Sequence, residues 1–411
     1  MRRVVVTGMG VVSPIGNTID TLEVGLFSGQ NGIGPITHFD TTEFGVQIAG
    51  EVKDLDVDAY YEPQMTKKMA LFTLFAMIAA EQAIIQSDFK DSADLNQVGV
   101  IVGSGIGGIQ VLENSHRILM ERGPHRVSPF FIPMLIADMA AGQISIHHGL
   151  KGPNYCVTSA CATASHAIGD AFRLIRYGDA NIIVAGGCEA SISPLAVAGF
   201  SNMKALTKNP DPETACRPFD IHRDGFVMGE GAGILILEEL EHALKRGVPI
   251  FGEVIGYGAT ADAYHVTAPA VGGEGAVRAM QRAIEDAGIS SSDVGYINAH
   301  GTSTPYNDKN ETIAIKTVFG EHATKNLIVS STKSMMGHLL GASGSVEAIA
   351  TLLALKRQEI PPTIHLVNPD PECDLNYSPN KPTPHAFEYG MSNTFGFGGH
   401  NAVLLLKRFS S

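Results

Sequence analysis

Apolar positions along the chain recur at two spacings. Short runs rich in Val and Ile read as strands at residues 4–7, 98–102, 155–158, 181–185, 252–258, 294–298 and 327–330. The first of these is followed by a Gly/Pro turn. Longer stretches carry apolar residues at helical spacing: 67–85, 109–122, 162–175, 240–246, 274–287 and 344–355. The first is apolar on more than one side (Leu71, Phe72, Leu74, Phe75, Met77, Ile78), which predicts a buried helix. Residues 20–60 read mostly as loop, as do the proline-bearing segments 209–223 and 361–384. Residues 127–139 are apolar but interrupted by Pro129 and Pro133, a pattern suited to a cap or a subunit contact. Two glycine-kinked hairpins are expected, at 225–238 and 390–407. The order of strand, helix, strand, glycine turn, helix, long loop and hairpin occurs twice. It predicts a duplication, with halves at residues 1–250 and 251–411, and alternating strands and helices predict mainly parallel sheets.

Composition narrows the function. The chain has 411 residues, 44% hydrophobic and 17% charged, enough for a large core. A net charge of −13 opposes a general nucleic-acid-binding role. Gly8, Gly10, Pro14 and Gly16 interrupt the N-terminal apolar run before it resembles a signal peptide, and no apolar run is long enough to span a membrane. Five cysteines without regular or zinc-type spacing point to a reducing compartment, and so to the cytoplasm.

The chemistry concentrates at predicted strand ends. Cys161 stands where a β-rich run turns into a small-residue helix, and a helix N-terminus favours a thiolate. Cys156 falls in the apolar run and reads as core; Cys188, Cys216 and Cys373 have no helix start behind them and read as inert. His300 and His338 each follow a predicted strand and lie beside glycine, at the end where ligands gather in α/β folds. Lys333, if buried, needs an anionic partner, for which Asp308 and Glu311 are the candidates. Thr302 and Thr304 suit either a turn or a bound amide-rich chain, and the glycines around Phe395 and Phe397 could expose backbone N–H groups to an oxyanion. The GSGIGG run at 103–108 matches a dinucleotide fingerprint, but no acidic residue closes a ribose-binding strand behind it.

TSACAT around Cys161, NAHGTSTP around His300, STKSMMGHLLGASG around Lys333 and His338, and SNTFGFGGHN near the C-terminus together resemble the β-ketoacyl-acyl-carrier-protein synthases, essentially over the whole chain. The resemblance implies a thiolase-like α/β fold of five layers, α-β-α-β-α, built from two similar halves and assembled as a homodimer. It implies that Cys161 carries an acyl group, that the N–H groups of Cys161 and Phe397 hold an oxyanion, and that His300 and His338 stabilise the enolate formed when malonyl-carrier protein loses CO2. It further implies an ion pair between Lys333 and Glu311, contacts from Thr302 and Thr304 to a phosphopantetheine arm, and Ile106 and Phe395 beside the substrate, with Phe397 also gating. Lys67, Lys68, Arg126 and Lys204 match docking positions for acyl carrier protein, whereas Gln64 and His125 stand where relatives often carry a basic residue. No catalytic metal or organic cofactor is implied; a structural monovalent cation near the Asn298 turn is compatible with the family.

Asn307 and Ala164 depart from the usual pattern without removing a catalytic group. A thiolase would carry a second cysteine where SNTFGFGGHN stands, and a non-catalytic chain-length partner would lack Cys161. A discrete polyketide ketosynthase is the nearer alternative, disfavoured by a chain without appended domains.

Overall fold

The computed structural model describes residues 1–410. Ten strands form one sheet: β1 (Val4–Val12), β2 (Gly99–Gly103), β3 (Asn154–Tyr155), β4 (Ile182–Glu189), β5 (Gly231–Glu239), β6 (Gly252–Ala261), β7 (Val294–Asn298), β8 (Ile328–Ser330), β9 (Tyr389–Gly396) and β10 (His400–Lys407). The helices that matter for the site are α1 (Leu71–Ser87), α2 (Ile109–Arg122), α3 (Met139–His148), α4 (Thr163–Tyr177), α5 (Glu274–Ala287), α6 (Pro305–Phe319) and α7 (Ser343–Arg357).

The strand order is β8-β7-β9-β10-β6-β1-β5-β4-β2-β3. The seam is narrow, since β1 and β6 pair only over Val4–Val6 and Gly252–Val254. On each side of it five strands repeat one pattern, with β1-β5-β4-β2-β3 answering β6-β10-β9-β7-β8. In each set the first two pairings are antiparallel and the last two parallel. The expectation of mainly parallel sheets is therefore corrected. β1/β5 and β6/β10, each far apart in sequence, pair antiparallel, as do β5/β4 and β10/β9.

Side chains alternate across these strands, and the alternation builds the layers. Leu235 and Leu237 of β5 face a core shared with Ala167, Ile168 and Ala171 of α4 and with Leu352 and Leu353 of α7. Ile234 and Ile236 face the other way, onto Phe72, Phe75 and Met77 of α1. In the second half, Leu404 and Leu406 of β10 join the middle core, while Val403 and Leu405 meet Ala279, Met280 and Ala283 of α5. Helices α4 and α7 thus lie between the two sheet halves, with α1 and α3 outside one and α5 and α6 outside the other: five layers. Helix α7 is apolar almost all round because it is covered on every side.

Close approach of helix to strand repeats as well. A Cβ on Gly10 of β1 would lie 1.9 Å from the Ala79 carbonyl oxygen of α1, and one on Gly258 of β6 would lie 1.9 Å from that of Ala279 in α5. Gly8 against Ala83 and Gly256 against Ala283 form the next pair, each at 2.2 Å. Only glycine lets the backbones meet this closely.

Several expectations are corrected in detail. Residues 19–28 form a helix capped by Thr18, not a loop. The first strand runs on through Val12, with a bulge at Thr7, and the Gly/Pro turn follows only at Ser13–Gly16. The buried helix α1 begins at Leu71, because residues 63–66 make a separate turn of helix. No hairpin forms at 225–238; β5 is a single strand, and the stretch before it bridges Leu206 and His338 instead. The run at 155–158 is only the end of a two-residue edge strand, so Cys156 is half-buried and not core. Among the described residues, no helix is long and apolar enough to cross a membrane.

Candidate active site

Helices α4 and α7 begin in the same way. Each follows one 3-10 turn, Ala160–Ala162 and Leu340–Ala342, whose first residue is left-handed (φ +51 for Ala160, +47 for Leu340). Such a backbone is costly for a residue with a side chain and gathers at functional turns. Cys161 is the second residue of its turn; Gly341 holds the equivalent place in the other.

The Cys161 thiol is buried. Burial pushes it up to about 11, while the backbone of Phe397, the charge of Lys333 and the backbone of Cys161 itself pull the other way, and Glu189 pushes further up. The helix start favours the thiolate, as the sequence suggests, but burial outweighs it. The glycine-rich tip of the β9–β10 hairpin closes directly on this turn. A Cβ on Gly396 would sit 3.1 Å from the Cys161 amide nitrogen and 3.0 Å from the Ser159 carbonyl oxygen.

His300 and His338 meet opposite Cys161, their ring centroids 5.3 Å apart and nearly perpendicular. Nδ1 of His338 accepts from the Leu340 N–H at 3.3 Å and pairs with Ser343 Oγ at 2.9 Å. That leaves the proton on Nε2, which has no protein partner. Burial, Lys333 and, for His300, His338 hold both imidazoles well below the ordinary histidine range, so both are neutral near pH 7.

Lys333 is buried, and its ammonium pairs with Glu347 of α7. This corrects the expected pair with Glu311. Both Glu311 oxygens are already engaged: Oε1 accepts from the His300 N–H at 2.9 Å and from Asn393 at 3.2 Å, and Oε2 from the Gly301 N–H at 2.8 Å. Asp308 is taken too, accepting from the Phe219 N–H at 2.9 Å and lying 3.5 Å from Arg223. Glu311 is thus a clamp on the His300 turn. Glu347, missed in the sequence, is pushed up to about 7 by burial against the pull of Lys333. Its only sequence signal is a lone acid in an otherwise apolar helix.

Glu189, at the end of β4, was also missed. Its carboxylate accepts from Ser104 Oγ (3.0 Å), the Gly105 N–H (2.9 Å), the Ile106 N–H (3.3 Å), Ser191 Oγ (2.9 Å) and the Gly341 N–H (3.1 Å). The N–H groups of the GSGIGG turn, which in a nucleotide site would face phosphate, are spent inside the protein: Gly105 and Ile106 on this carboxylate, Gly107 on Ser104 Oγ and Gly108 on the Leu135 carbonyl. The turn is thereby tied to the equivalent of the Cys161 position in the second half.

One cavity of about 540 Å³ collects Cys161, His300, His338, Thr302, Thr304, Ile106, Phe395 and Phe397, with Lys204 at its lining. The two threonine hydroxyls share a 2.8 Å hydrogen bond, and Thr304 caps α6. Phe395 stands 5.8 Å from His300, and Phe397 lies 6.4 Å from Phe200. Lys67, Lys68 and Arg126 are exposed and lie outside the cavity lining, with the Lys68 ammonium 5.3 Å from the Phe130 ring.

Beside the site, Asn298 at the end of β7 is paired in register with Ser392 of β9. Both side-chain polar atoms of Asn298, Ser392 Oγ, Asn393 Oδ1 and Glu347 Oε2 are buried without a hydrogen-bond partner among the described residues. Orphaned oxygens of this kind fit a hard monovalent cation.

Residues 1–243 match the family described as beta-ketoacyl synthase, N-terminal domain, and residues 251–367 match beta-ketoacyl synthase, C-terminal domain. The 3-oxoacyl-[acyl-carrier-protein] synthase 2 of Staphylococcus aureus (strain N315) is 53% identical over 412 residues, covering 100% of this chain and 99% of that protein. Among solved structures, a beta-ketoacyl synthase from Burkholderia phymatum STM815 superposes with a TM-score of 0.93 at 35% identity, covering 100% of both chains. A type II polyketide ketosynthase, solved with its acyl-carrier protein and bound to a hexaketide, superposes with a TM-score of 0.92 at 33% identity, covering 99% of this chain and 100% of that one.

Proposed function

Since the chain belongs to the beta-ketoacyl synthase family, we propose that it is a 3-oxoacyl-[acyl-carrier-protein] synthase of fatty-acid elongation, an acyltransferase acting in the cytoplasm. The observation that carries this is the convergence of Cys161, His300 and His338 on one cavity closed by the Phe397 loop. Identity of 53% over full length to a 3-oxoacyl-[acyl-carrier-protein] synthase 2, against 33% to a polyketide ketosynthase, favours elongation over polyketide assembly. The presence of Cys161 disfavours a non-catalytic partner.

Cys161 Sγ attacks the acyl thioester carbonyl, the carrier thiol leaves with the proton, and the acyl group rests on Cys161. The N–H groups of Cys161 and Phe397 hold the developing oxyanion. Malonyl-carrier protein then loses CO2. His338, with Nε2–H free to donate, and His300 stabilise the enolate oxygen. The enolate carbon attacks the acyl carbonyl, the bond to Cys161 breaks, and the sulfur takes up a proton. The product is a 3-oxoacyl chain longer by two carbons. Because both imidazoles are neutral, they act as donors to developing charge and not as stored acids.

Thr302 and Thr304 are positioned for the phosphopantetheine arm, and Ile106 and Phe395 for the acyl chain. Acyl carrier protein docks at the mouth through Lys204, with Lys67, Lys68 and Arg126 extending the basic rim. Lys333 with Glu347, and Glu311 on the His300 turn, orient the two histidines. Asn298, Ser392, Asn393 and Glu347 would hold a monovalent cation, which would supply positive charge next to this network. Exchange of K+ for a bulky organic cation is expected to lower the unfolding temperature, and an unchanged value counts against the cation. A second copy of the chain completes a homodimer.

The deciding experiment is intact mass after incubation with acyl-carrier protein. Wild type gains one acyl group and Cys161→Ala gains none. Malonyl-carrier protein then discharges the wild type with release of a 3-oxo product. No gain in folded wild type overturns the reading.

A further inference from the structure

Away from the cavity, α1 packs against α3 in the outer layer of the first half. Glu81 of α1 meets the last two residues of α3, His147 and His148, and one ligating atom of each lies within 4.8 Å of the others. We propose that Glu81, His147 and His148 form a binding site for a first-row divalent transition-metal ion, with Zn2+ the best match.

The donor set is two imidazoles and one carboxylate, the kind that zinc takes with a water in fourth place. With metal–ligand bonds of about 2.0–2.1 Å, ligand atoms of a tetrahedral site stand roughly 3.4 Å apart. His148 Nε2 lies 3.4 Å from Glu81 Oε2, and His147 Nε2 lies 3.9 Å from it. His147 is the one that must move inward, and it is partly exposed and free to do so. Two adjacent histidines inside a helix point about 100° apart and do not converge. Here they end the helix, just before the left-handed Gly149, and the Tyr61 ring stands edge-on to His147 at 5.2 Å.

A second observation points to a ligand. The His148 side chain is fully buried, yet neither ring nitrogen has a hydrogen-bond partner, and Glu81 Oε2 facing it has none either. A buried polar atom normally finds a partner. His148 Nε2 and Glu81 Oε2 face each other at 3.4 Å without forming a hydrogen bond, and a cation between them would satisfy both atoms. The proposed chemistry of the cavity uses none of these residues. Bound metal would fasten α3 to α1, and the chain that leaves α3 reaches Cys161 through the short edge strand β3.

The test is titration of metal-free protein with Zn2+ by calorimetry and with Co2+ by visible absorption. One ion per chain is expected, with a tetrahedral Co2+ spectrum lacking a sulfur charge-transfer band, and Zn2+ is expected to raise the unfolding temperature. His147→Ala and Glu81→Gln, neither of which empties the core, should each weaken binding roughly tenfold or more. His322→Ala, at a distant histidine, should leave it unchanged. No uptake from equimolar Zn2+, a Co2+–thiolate band, or equal binding in His147→Ala and Glu81→Gln would each overturn the site.

Discussion

At the scale of single residues, the thiol and the two imidazoles make separable predictions. Burial pushes the Cys161 thiol up, so its reactivity depends on donors that meet charge as it develops. His338→Ala removes one such donor, and losing one typically costs about 10²–10³-fold in rate. The loss is expected in malonyl decarboxylation, with acyl loading of Cys161 much less affected; a variant that loads poorly but decarboxylates normally would contradict the assigned roles. Buried histidines also shape stability. His166 is pushed down to about 4, and His300 and His338 lie well below the ordinary value. Below about pH 6.5 the unfolded chain binds these protons before the folded one does, so their contribution is complete above that pH and is lost as the pH falls toward 4. Urea midpoints measured from pH 7 to pH 4.5 should fall less steeply for His166→Gln than for wild type. Parallel curves would mean His166 is not held neutral.

At the scale of elements, the helices at 109–122, 240–246 and 274–287 and the strand at 294–298 were legible to the residue, the helices because their periodicity agrees with the glycine that ends each, Gly123, Gly247 and Gly288. The placement of Cys161, His300 and His338 at turns was legible for the same reason. What the sequence hid was pairing across the fold. The partner of Lys333 is Glu347, and nothing in local spacing separates that acid from Glu311. The false hairpin at 225–238 arose because Gly229 and Gly231 look like turn residues. They are glycines because Met336 O and Val12 O approach them to 2.6 and 2.3 Å from a would-be Cβ. Glycines at such contacts are sharp tests of the duplicated architecture. Gly10→Ala and Gly258→Ala each drive a methyl into a helix carbonyl and should destabilise by about 1–3 kcal/mol or more. Gly142→Ala, inside α3 with its nearest neighbour 3.7 Å away, should instead stabilise by about 0.5–1 kcal/mol. Denaturant midpoints decide it, and similar losses at all three positions would remove the close-packing argument.

At the scale of the whole molecule, several exposed apolar side chains gather in one region. Met120 on α2 is 72% exposed, Ile132 55% and Phe130 41%, and Leu112, Leu119 and Ile136 share the same α2 and 131–136 region. The short helix Phe131–Leu135 is seated on α2 and on Gly107 and Gly108, so this apolar face is built onto the same turn that carries Ile106 into the cavity. A patch of this kind on a single copy is a liability in water and marks an interface. Obligate homodimers bury upward of about 2,000 Å² and are more apolar than transient complexes. A second copy seated here would cover the patch and brace the cavity wall at Ile106. Sedimentation should therefore give twice the 43.5 kDa chain mass at micromolar concentration. Met120→Glu with Ile132→Glu should shift the protein to monomer. Condensation should fall in step with dissociation, since the wall at Ile106 loses its support, while Cys161 in the monomer should still react with a small thiol reagent. A fully active monomer would show that the cavity stands without the second copy, and the patch would then need another partner.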